Sequence, residues 1–301
     1  MGNNEPPTRP AEPAATIILV RQHQGGLQTY LLRRSPKLRF MAGMHVFPGG
    51  RVDPEDRDPT LWANRIDLPE EDLARRFGDD LTAGEALGYA VAAVRETYEE
   101  AGILLARDAS GDPPDPARLD CLRATGPLAE GWLAEHAGRL GWALSLSSLA
   151  RWSRWITPVG MKRRYDTLFL LAQAPEDQTC QPDGREADSG LWASPAEALA
   201  LNRAGEVPLS PPTIVTLHHL QEYPHLAALE QELPTRLGLE TFAPRLVSLE
   251  RGSVIVEPWD PEFGQEEIRI PSTGLEARLL PAGEPFSRIW FNGELWRPIA
   301  V

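Results

Sequence analysis

The sequence predicts an α/β protein, and three features carry that expectation. Two apolar stretches, 15–20 and 29–33, flank Gly25-Gly26 and read as a β-hairpin. A strong helical pattern runs from about residue 85 to 105, ended by Gly102 or shortly after it. Residues 165–171 form a continuous apolar run of strand length, and Ser194-Pro195-Ala196-Glu197 then supplies a capping-box spacing with proline at the first helical position. Strands and helices therefore interleave along the chain.

Taken in order, residues 1–13 read as a disordered tail, since they lack the basic and apolar regions of a signal peptide. After the hairpin, His45-Val46-Phe47 is a short strand that stops at Pro48-Gly49-Gly50. Residues 51–84 are acidic and turn-rich, with a weak helix near 70–77. Beyond the strong helix, 108–116 is a loop and 119–155 reads as helical segments. A further helix should start after Pro211-Pro212. From about residue 238 the composition turns to β, with 253–256 and a hairpin of 289–291 with 294–296 around Asn292-Gly293. The expected division is a tail (1–13), a main domain (14–237) with insertions near 57–84 and 107–152, and a small β extension (238–301).

The 301 residues carry 30 Lys+Arg against 43 Asp+Glu, a formal net charge of −13. Such a balance opposes a protein that coats nucleic acid or an anionic membrane, which needs a positive field. No apolar run approaches the ~20 residues of a membrane span. Cys121 and Cys180 make neither a disulfide framework nor a metal cluster. The C-terminal Arg297-Pro298-Ile299-Ala300-Val301 is not a Ser-Lys-Leu address. A reduced, cytoplasmic protein is expected. Lys37 and Lys162 are the only lysines, so the basic clusters are arginine-built: Arg33, Arg34, Lys37 and Arg39 in one loop, and Lys162, Arg163 and Arg164 in another.

On the strong helix, Glu96, Glu99 and Glu100 fall within a sector of about 100°, opposite Val91, Val94, Tyr98 and Ala101. Three carboxylates in the last turn repel one another and oppose the helix dipole, by roughly 0.3–1 kcal/mol each. A divalent cation would resolve that conflict, because hard Mg²⁺ prefers carboxylate oxygens. A solvated acidic face fits the same segment, so both readings stay open on the helix alone.

Phe47-Pro48-Gly49-Gly50 followed by Asp53, Glu55 and Asp56, then Arg95-Glu96-Thr97-Tyr98-Glu99-Glu100-Ala101-Gly102-Ile103, resembles the Nudix hydrolase signature G-x5-E-x7-R-E-U-x-E-E-x-G-U. Gly50 matches the first glycine and Arg95, Glu96, Glu99, Glu100, Gly102 and Ile103 the second half. Three departures stand out. Asp56 takes the place of the first glutamate, with Glu85 as a competing candidate. Thr97 replaces an aliphatic residue. The segment 57–94 separates Asp56 from Arg95 where the pattern has seven residues. An insertion there is tolerable because loop length costs little when both ends are anchored. The resemblance implies an α/β/α sandwich with a mixed sheet and Mg²⁺ or Mn²⁺ held by Glu96, Glu99 and Glu100. It further implies that Arg95 orients them, that the carbonyl of Gly49 or Gly50 adds a ligand, and that water attacks a phosphoanhydride.

Upstream, Leu31-Leu32-Arg33-Arg34-Ser35 and Arg39-x3-Gly43-x3-Phe47-Pro48-Gly49-Gly50 resemble the motif of the CoA and acyl-CoA diphosphatase subgroup. Further likeness runs through 155–158, 163–167 and 192–198, so that it covers residues 15–222. The substrate implied is a small nucleoside diphosphate derivative, CoA or acyl-CoA, cleaved to adenosine 3′,5′-bisphosphate and (acyl-)4′-phosphopantetheine. Arg34, Ser35, Arg39, Gly49, Gly50, Arg163 and Arg164 are the candidate substrate-binding residues, arginine being suited to phosphate through bidentate hydrogen bonds. Glu186, in a Gly-containing loop before Trp192, is the candidate general base beside Arg95 and Glu99 as catalytic residues. Alternatives are another diphosphate (NADH, ADP-ribose, a nucleotide sugar) or a non-catalytic ligand sensor. Asp166 is expected in a structural salt bridge, and His218 and His219 in packing. Homodimer formation and cover for the site are the two roles open to the extension.

Overall fold

Residues 14–20, Ala-Ala-Thr-Ile-Ile-Leu-Val, are apolar at nearly every position rather than at alternate ones. A strand of that kind must be covered on both faces. In the computed structural model, which describes residues 10–38, 41–78, 80–124, 126–233 and 241–301, this strand lies within a mixed sheet with helices on either side.

The chain runs β1 (Glu12–His23), β2 (Gly26–Arg34), β3 (His45–Val46), β4 (Gly49–Arg51), α1 (Pro59–Trp62), α2 (Glu70–Phe77) and α3 (Ala83–Ala101). It continues through β5 (Ala106–Arg107), α4 (Pro116–Ala124), α5 (Trp132–Leu140), β6 (Ala143–Leu144), β7 (Ala150–Ile156), β8 (Tyr165–Gln173) and β9 (Ala187–Ala193). Then come α6 (Pro195–Ala204), α7 (Pro211–Leu220), α8 (Leu226–Glu232), β10 (Thr241–Phe242), β11 (Arg245–Ser248), β12 (Ser253–Val256), β13 (Arg288–Phe291) and β14 (Trp296–Ile299).

The main sheet has the order β10-β7-β8-β1-β2-β3, with β4 also pairing β1 and β9 also pairing β2. β1 and β8 are parallel, in register from Glu12↔Tyr165 to Val20↔Gln173. Side chains on one face of the sheet (Ile17, Leu19, Tyr30, Leu32, Leu168, Leu170) join α2, α3, α4 and α5 in one core. Those on the other (Ile18, Val20, Leu27, Leu31, Phe169, Leu171) join α6, α7 and α8. The expected α/β/α sandwich is the architecture found. β11–β14 form a separate antiparallel sheet, packed through Ile255 and Ile289 on the second core. Among the described residues, no helix is long and apolar enough to cross a membrane.

Helix ends follow their caps. Thr82 Oγ1 accepts from the Glu85 amide while the Glu85 carboxylate receives the Thr82 amide, which starts α3. Gly102, at φ 77°, ends it in the left-handed conformation that glycine takes most cheaply. Helix therefore stops before 103–105, and the Gln178 side chain bonds both the amide and the carbonyl of Leu104 instead. Ser194 and Pro195 open α6 as expected, with Ser194 Oγ accepting from Glu197.

Three expectations need correction. Residues 12 and 13, assigned to the tail, begin β1, because the Glu12 amide donates to the Arg164 carbonyl and both residues pair with β8; residues 1–9 lie outside the described residues. Residues 150–156, read as helical and partly as insertion, are strand β7 in the main sheet. A bulge at Trp152 breaks the alternation of that strand, so Arg151 and Arg154, three apart like one helix face, both reach Asp80. The last hairpin has its second strand at 296–299, with Asn292 Oδ1 accepting from the Glu294 and Leu295 amides to close a wider turn. Asp166 makes the expected structural pair, a two-bond salt bridge with Arg154 at 2.7 Å.

Glu257, following β12, is fully buried and neither carboxylate oxygen has a hydrogen-bond partner among the described residues. Burial pushes its pKa up to about 8. The folded state thus keeps a proton that the unfolded chain loses near the ordinary carboxylate value. Stability then falls as pH rises from about 5 to 8, by about 1.4 kcal/mol per pH unit. Thermal melts of Glu257→Gln and the parent protein should diverge across that window, the variant becoming the more stable as pH rises. Equal pH dependence of the two would show that Glu257 is ionised in the folded protein.

Candidate active site

Gly49 and Gly50 sit on β4, paired with Thr16 and Ala15 of β1, and face the C-terminal half of α3. Beside Gly49 the backbone of β1 leaves no room for a side chain, and beside Gly50 one would displace the Glu96 carboxylate. A Cβ on Gly49 would lie 2.3 Å from the Ala15 carbonyl oxygen, and one on Gly50 would lie 2.3 Å from the Glu96 carboxylate. The Gly49 amide donates to Glu100 Oε2 at 2.9 Å. Two glycines, legible in the sequence as a turn, thus form the bed on which the glutamates rest.

Arg95 ties the site together. Its Nε and Nη2 donate to Asp56 Oδ1 and Oδ2 (3.1 and 2.9 Å), Nη2 also to the Arg51 carbonyl (2.8 Å), and Nη1 to Glu96 Oε1 (2.8 Å). Asp53 lies at 3.4 Å and Glu99 at 3.5 Å. Burial disfavours the charge on this guanidinium, but the bonds to Asp56 and the charges of Glu96, Asp56 and Glu99 outweigh it and hold its pKa above the ordinary arginine value. Asp56 is buried, which raises its pKa despite the opposing Arg95 bonds. Of the two candidates for the first acidic position, Asp56 is the one in contact with Arg95. Glu85 caps the first turn of α3, eleven residues and about 16 Å along the axis from Glu96.

Glu96 and Glu100 are charges in short supply of compensation. Burial raises Glu96 to about 7; Arg95 opposes the shift while Glu99 and Glu186 add to it. Glu100 is raised well above the carboxylate range by burial and by Glu96, with the Gly49 amide and Arg34 opposing and Glu186 reinforcing. Arg34 Nη1 stands 3.9 Å from Glu100 Oε1. Glu99, more exposed, accepts from Trp132 Nε1 of α5 at 2.6 Å, a contact that nothing in the sequence spacing signals.

Glu186 sits on an exposed loop held by Asp183, whose Oδ1 accepts from the Glu186 and Ala187 amides. The buried Ser35 donates its amide to the Glu186 carbonyl at 2.7 Å, so that loop is clamped beside Arg34. Arg39 lies outside the described residues. Arg163 and Arg164 stand in the turn between β7 and β8, where the Arg164 carbonyl accepts from the Glu12 amide of β1 and Arg164 Nε donates to the Thr157 carbonyl. His218 packs edge-on against Phe286 and His219 against Phe242 and Trp259.

The donor set suits a hard divalent cation. Glu96 and Glu100 offer carboxylate oxygens in a place where two buried like charges are unfavourable without a cation. Among the described residues no three acidic, His or Cys side chains are grouped so that together they could hold a metal ion. Mg²⁺ needs no such group, since it keeps waters and is held by one or two carboxylates together with substrate phosphates.

The model of the NUDT19 Nudix domain matches residues 11–220. A human protein named acyl-coenzyme A diphosphatase NUDT19 is 31% identical over 303 residues, spanning 88% of this chain and 80% of that protein. Its Gallus gallus counterpart is 30% identical over 307 residues, spanning 86% and 80%. The crystal structure of a Nudix hydrolase from Alicyclobacillus acidocaldarius superposes with a TM-score of 0.58 at 28% identity, covering 75% of this chain and 96% of that one. The chain belongs to the Nudix hydrolases, in the NUDT19 Nudix domain family.

Proposed function

We propose that this protein is a diphosphatase that cleaves the pyrophosphate of CoA or acyl-CoA, releasing adenosine 3′,5′-bisphosphate and (acyl-)4′-phosphopantetheine. The observation that carries the reading is a convergence. Arg34 and Gly49 meet Glu100 by ion pair and hydrogen bond, Gly50 lies close against the Glu96 carboxylate, and the Ser35 amide bonds the Glu186 carbonyl. Names of the relatives, acyl-coenzyme A diphosphatases, support the substrate class.

In this reading Glu96, Glu99 and Glu100 hold Mg²⁺ or Mn²⁺, and Arg95 fixes the glutamates. A bound cation would neutralise pyrophosphate oxygens and lower the pKa of a coordinated water. Arg34 and Arg39 hold phosphate oxygens, and the buried Ser35 sets the loop that carries Arg34. Gly49 and Gly50 let the backbone approach where side chains would collide. Glu186 takes the proton from the attacking water. Arg163 and Arg164 serve the more distant 3′-phosphate.

Incubation of the purified protein with Mg²⁺ or Mn²⁺ and a panel of CoA, acyl-CoA, NADH, ADP-ribose and nucleoside triphosphates tests the substrate. Selective appearance of adenosine 3′,5′-bisphosphate is expected; selective cleavage of the other diphosphates would retire the assignment. Glu100→Gln should lower kcat by roughly 10²-fold or more, and Glu186→Gln by roughly 10²–10⁴-fold, while Arg34→Ala should act mainly on KM. Undiminished rates in Glu100→Gln would remove the metal mechanism.

Asp56→Asn leaves Arg95 buried without its two-bond partner, and a loss of roughly 3 kcal/mol in chemical denaturation is expected. A loss below about 0.5 kcal/mol would mean that the other carboxylates around Arg95 suffice.

A further inference from the structure

The segments that interrupt the Nudix signature do more than lengthen the chain. α5, from the second insertion, is held against the first: Arg65 Nη1 donates to the Ala134 carbonyl, and Trp62 Nε1 to the carbonyl of Glu55, whose carboxylate lies against Gly131. Gly131, at φ 74°, starts α5 in a conformation that turns the next residue, Trp132, into the protein. Trp132 is 3% exposed. Its ring lies on Tyr98 of α3 at 4.9 Å between centroids, and the Tyr98 hydroxyl donates to the Leu119 carbonyl of α4 at 2.6 Å. The indole N–H, rigidly placed by this packing, then donates to Glu99 Oε1 at 2.6 Å. Arg123 of α4 bonds the carbonyl of the same glutamate at 3.4 Å.

We propose that Trp132 is a positioning residue: it holds Oε1 of the Glu99 carboxylate while Arg95 faces Oε2, and so sets which oxygen is presented to a cation. The inference rests on the metal-binding reading of Glu96, Glu99 and Glu100. Its physical basis is the kind of donor involved. An indole N–H is neutral, donates one bond and accepts none. It therefore orients the carboxylate without cancelling the negative charge that attracts the metal, as a second lysine or arginine would. Arg95, 3.5 Å from Glu99 Oε2, is shared with Asp56 and Glu96 and leaves the carboxylate a torsional freedom that Trp132 removes. Partners of this type behind a ligating carboxylate typically affect metal affinity by roughly 10–100-fold when lost.

Trp132→Phe keeps the ring on Tyr98 and deletes only the N–H. Mn²⁺ binding to the full chain, followed by electron paramagnetic resonance without substrate, should weaken by roughly 10–100-fold with little change in melting temperature. In a Glu99→Gln background the same substitution should add almost nothing, because the two residues act as one unit. If Glu99→Gln weakens Mn²⁺ binding and Trp132→Phe does not, the positioning role is wrong while the metal site stands. If Glu99→Gln itself changes nothing, the metal-binding reading of Glu99 fails, and this proposal with it. Should Trp132→Phe not fold, ¹⁵N-indole spectra of the unaltered protein decide. Of nine tryptophans, one indole signal should be moved by Glu99→Gln and by Mg²⁺ saturation. Indole signals indifferent to Mg²⁺ would overturn the proposal.

Discussion

One buried guanidinium holds the site in shape. Arg95 contacts Asp56 through two bonds, Glu96 through one, the Arg51 carbonyl through another, and lies within 3.5 Å of Asp53 and Glu99. A single positive charge so placed cannot neutralise four carboxylates. It compensates Asp56 most fully, the partner it binds with two nitrogens, and leaves an excess of negative charge toward Glu96. The arrangement is therefore anchored at one end and deficient in positive charge at the other, which is what a cation site requires.

The same interaction explains why a long interruption of the signature is harmless. Asp56 and Arg95 lie at the two ends of the segment 57–94, and their bonds close it as a staple would. Loop-closure entropy grows only with the logarithm of length, so the segment was free to acquire helices α1 and α2 and the first turns of α3. Helix α3 in turn lies close to the sheet because its inner face is built from small side chains: Ala86, Ala90, Ala93 and Ala101 are all completely buried. That close approach brings Glu96 against Gly50 and Glu100 onto the Gly49 amide.

Local signals make much of this legible in the amino-acid sequence. The glycine pair, the hairpin, the three-glutamate face and the Ser194 cap each depend on neighbours within a few residues. Strand β7 escapes such a reading for a reason that is also local: its bulge at Trp152 aligns Arg151 and Arg154 with Asp80 and imitates the spacing of a helix face. The choice between Asp56 and Glu85 is undecidable from sequence because each is a carboxylate in the right stretch, and only their distance from Arg95 separates them. Trp132 lies 33 residues beyond Glu99, in an insertion outside the signature. Contacts of that kind leave no periodicity to read.

A net charge of −13 and a polyanionic substrate are compatible because the relevant field is local. The Debye length in physiological salt is about 8 Å, so carboxylates scattered over the surface weigh little at the site. What acts there is the pairing of the moment. Arg34 stands 3.9 Å from Glu100, a distance at which it tempers a buried carboxylate without a tight bond. On the proposed reading, a cation bound by the glutamates would supply that neutralisation and leave Arg34 available to a phosphate. On that reading the glutamates of α3 and Arg34 would be two halves of one charge arrangement, each attractive to a different part of a metal–diphosphate complex. Neither half would suffice alone: carboxylates without a cation would repel the diphosphate, and arginine without the carboxylates would bind phosphate with no metal to activate water.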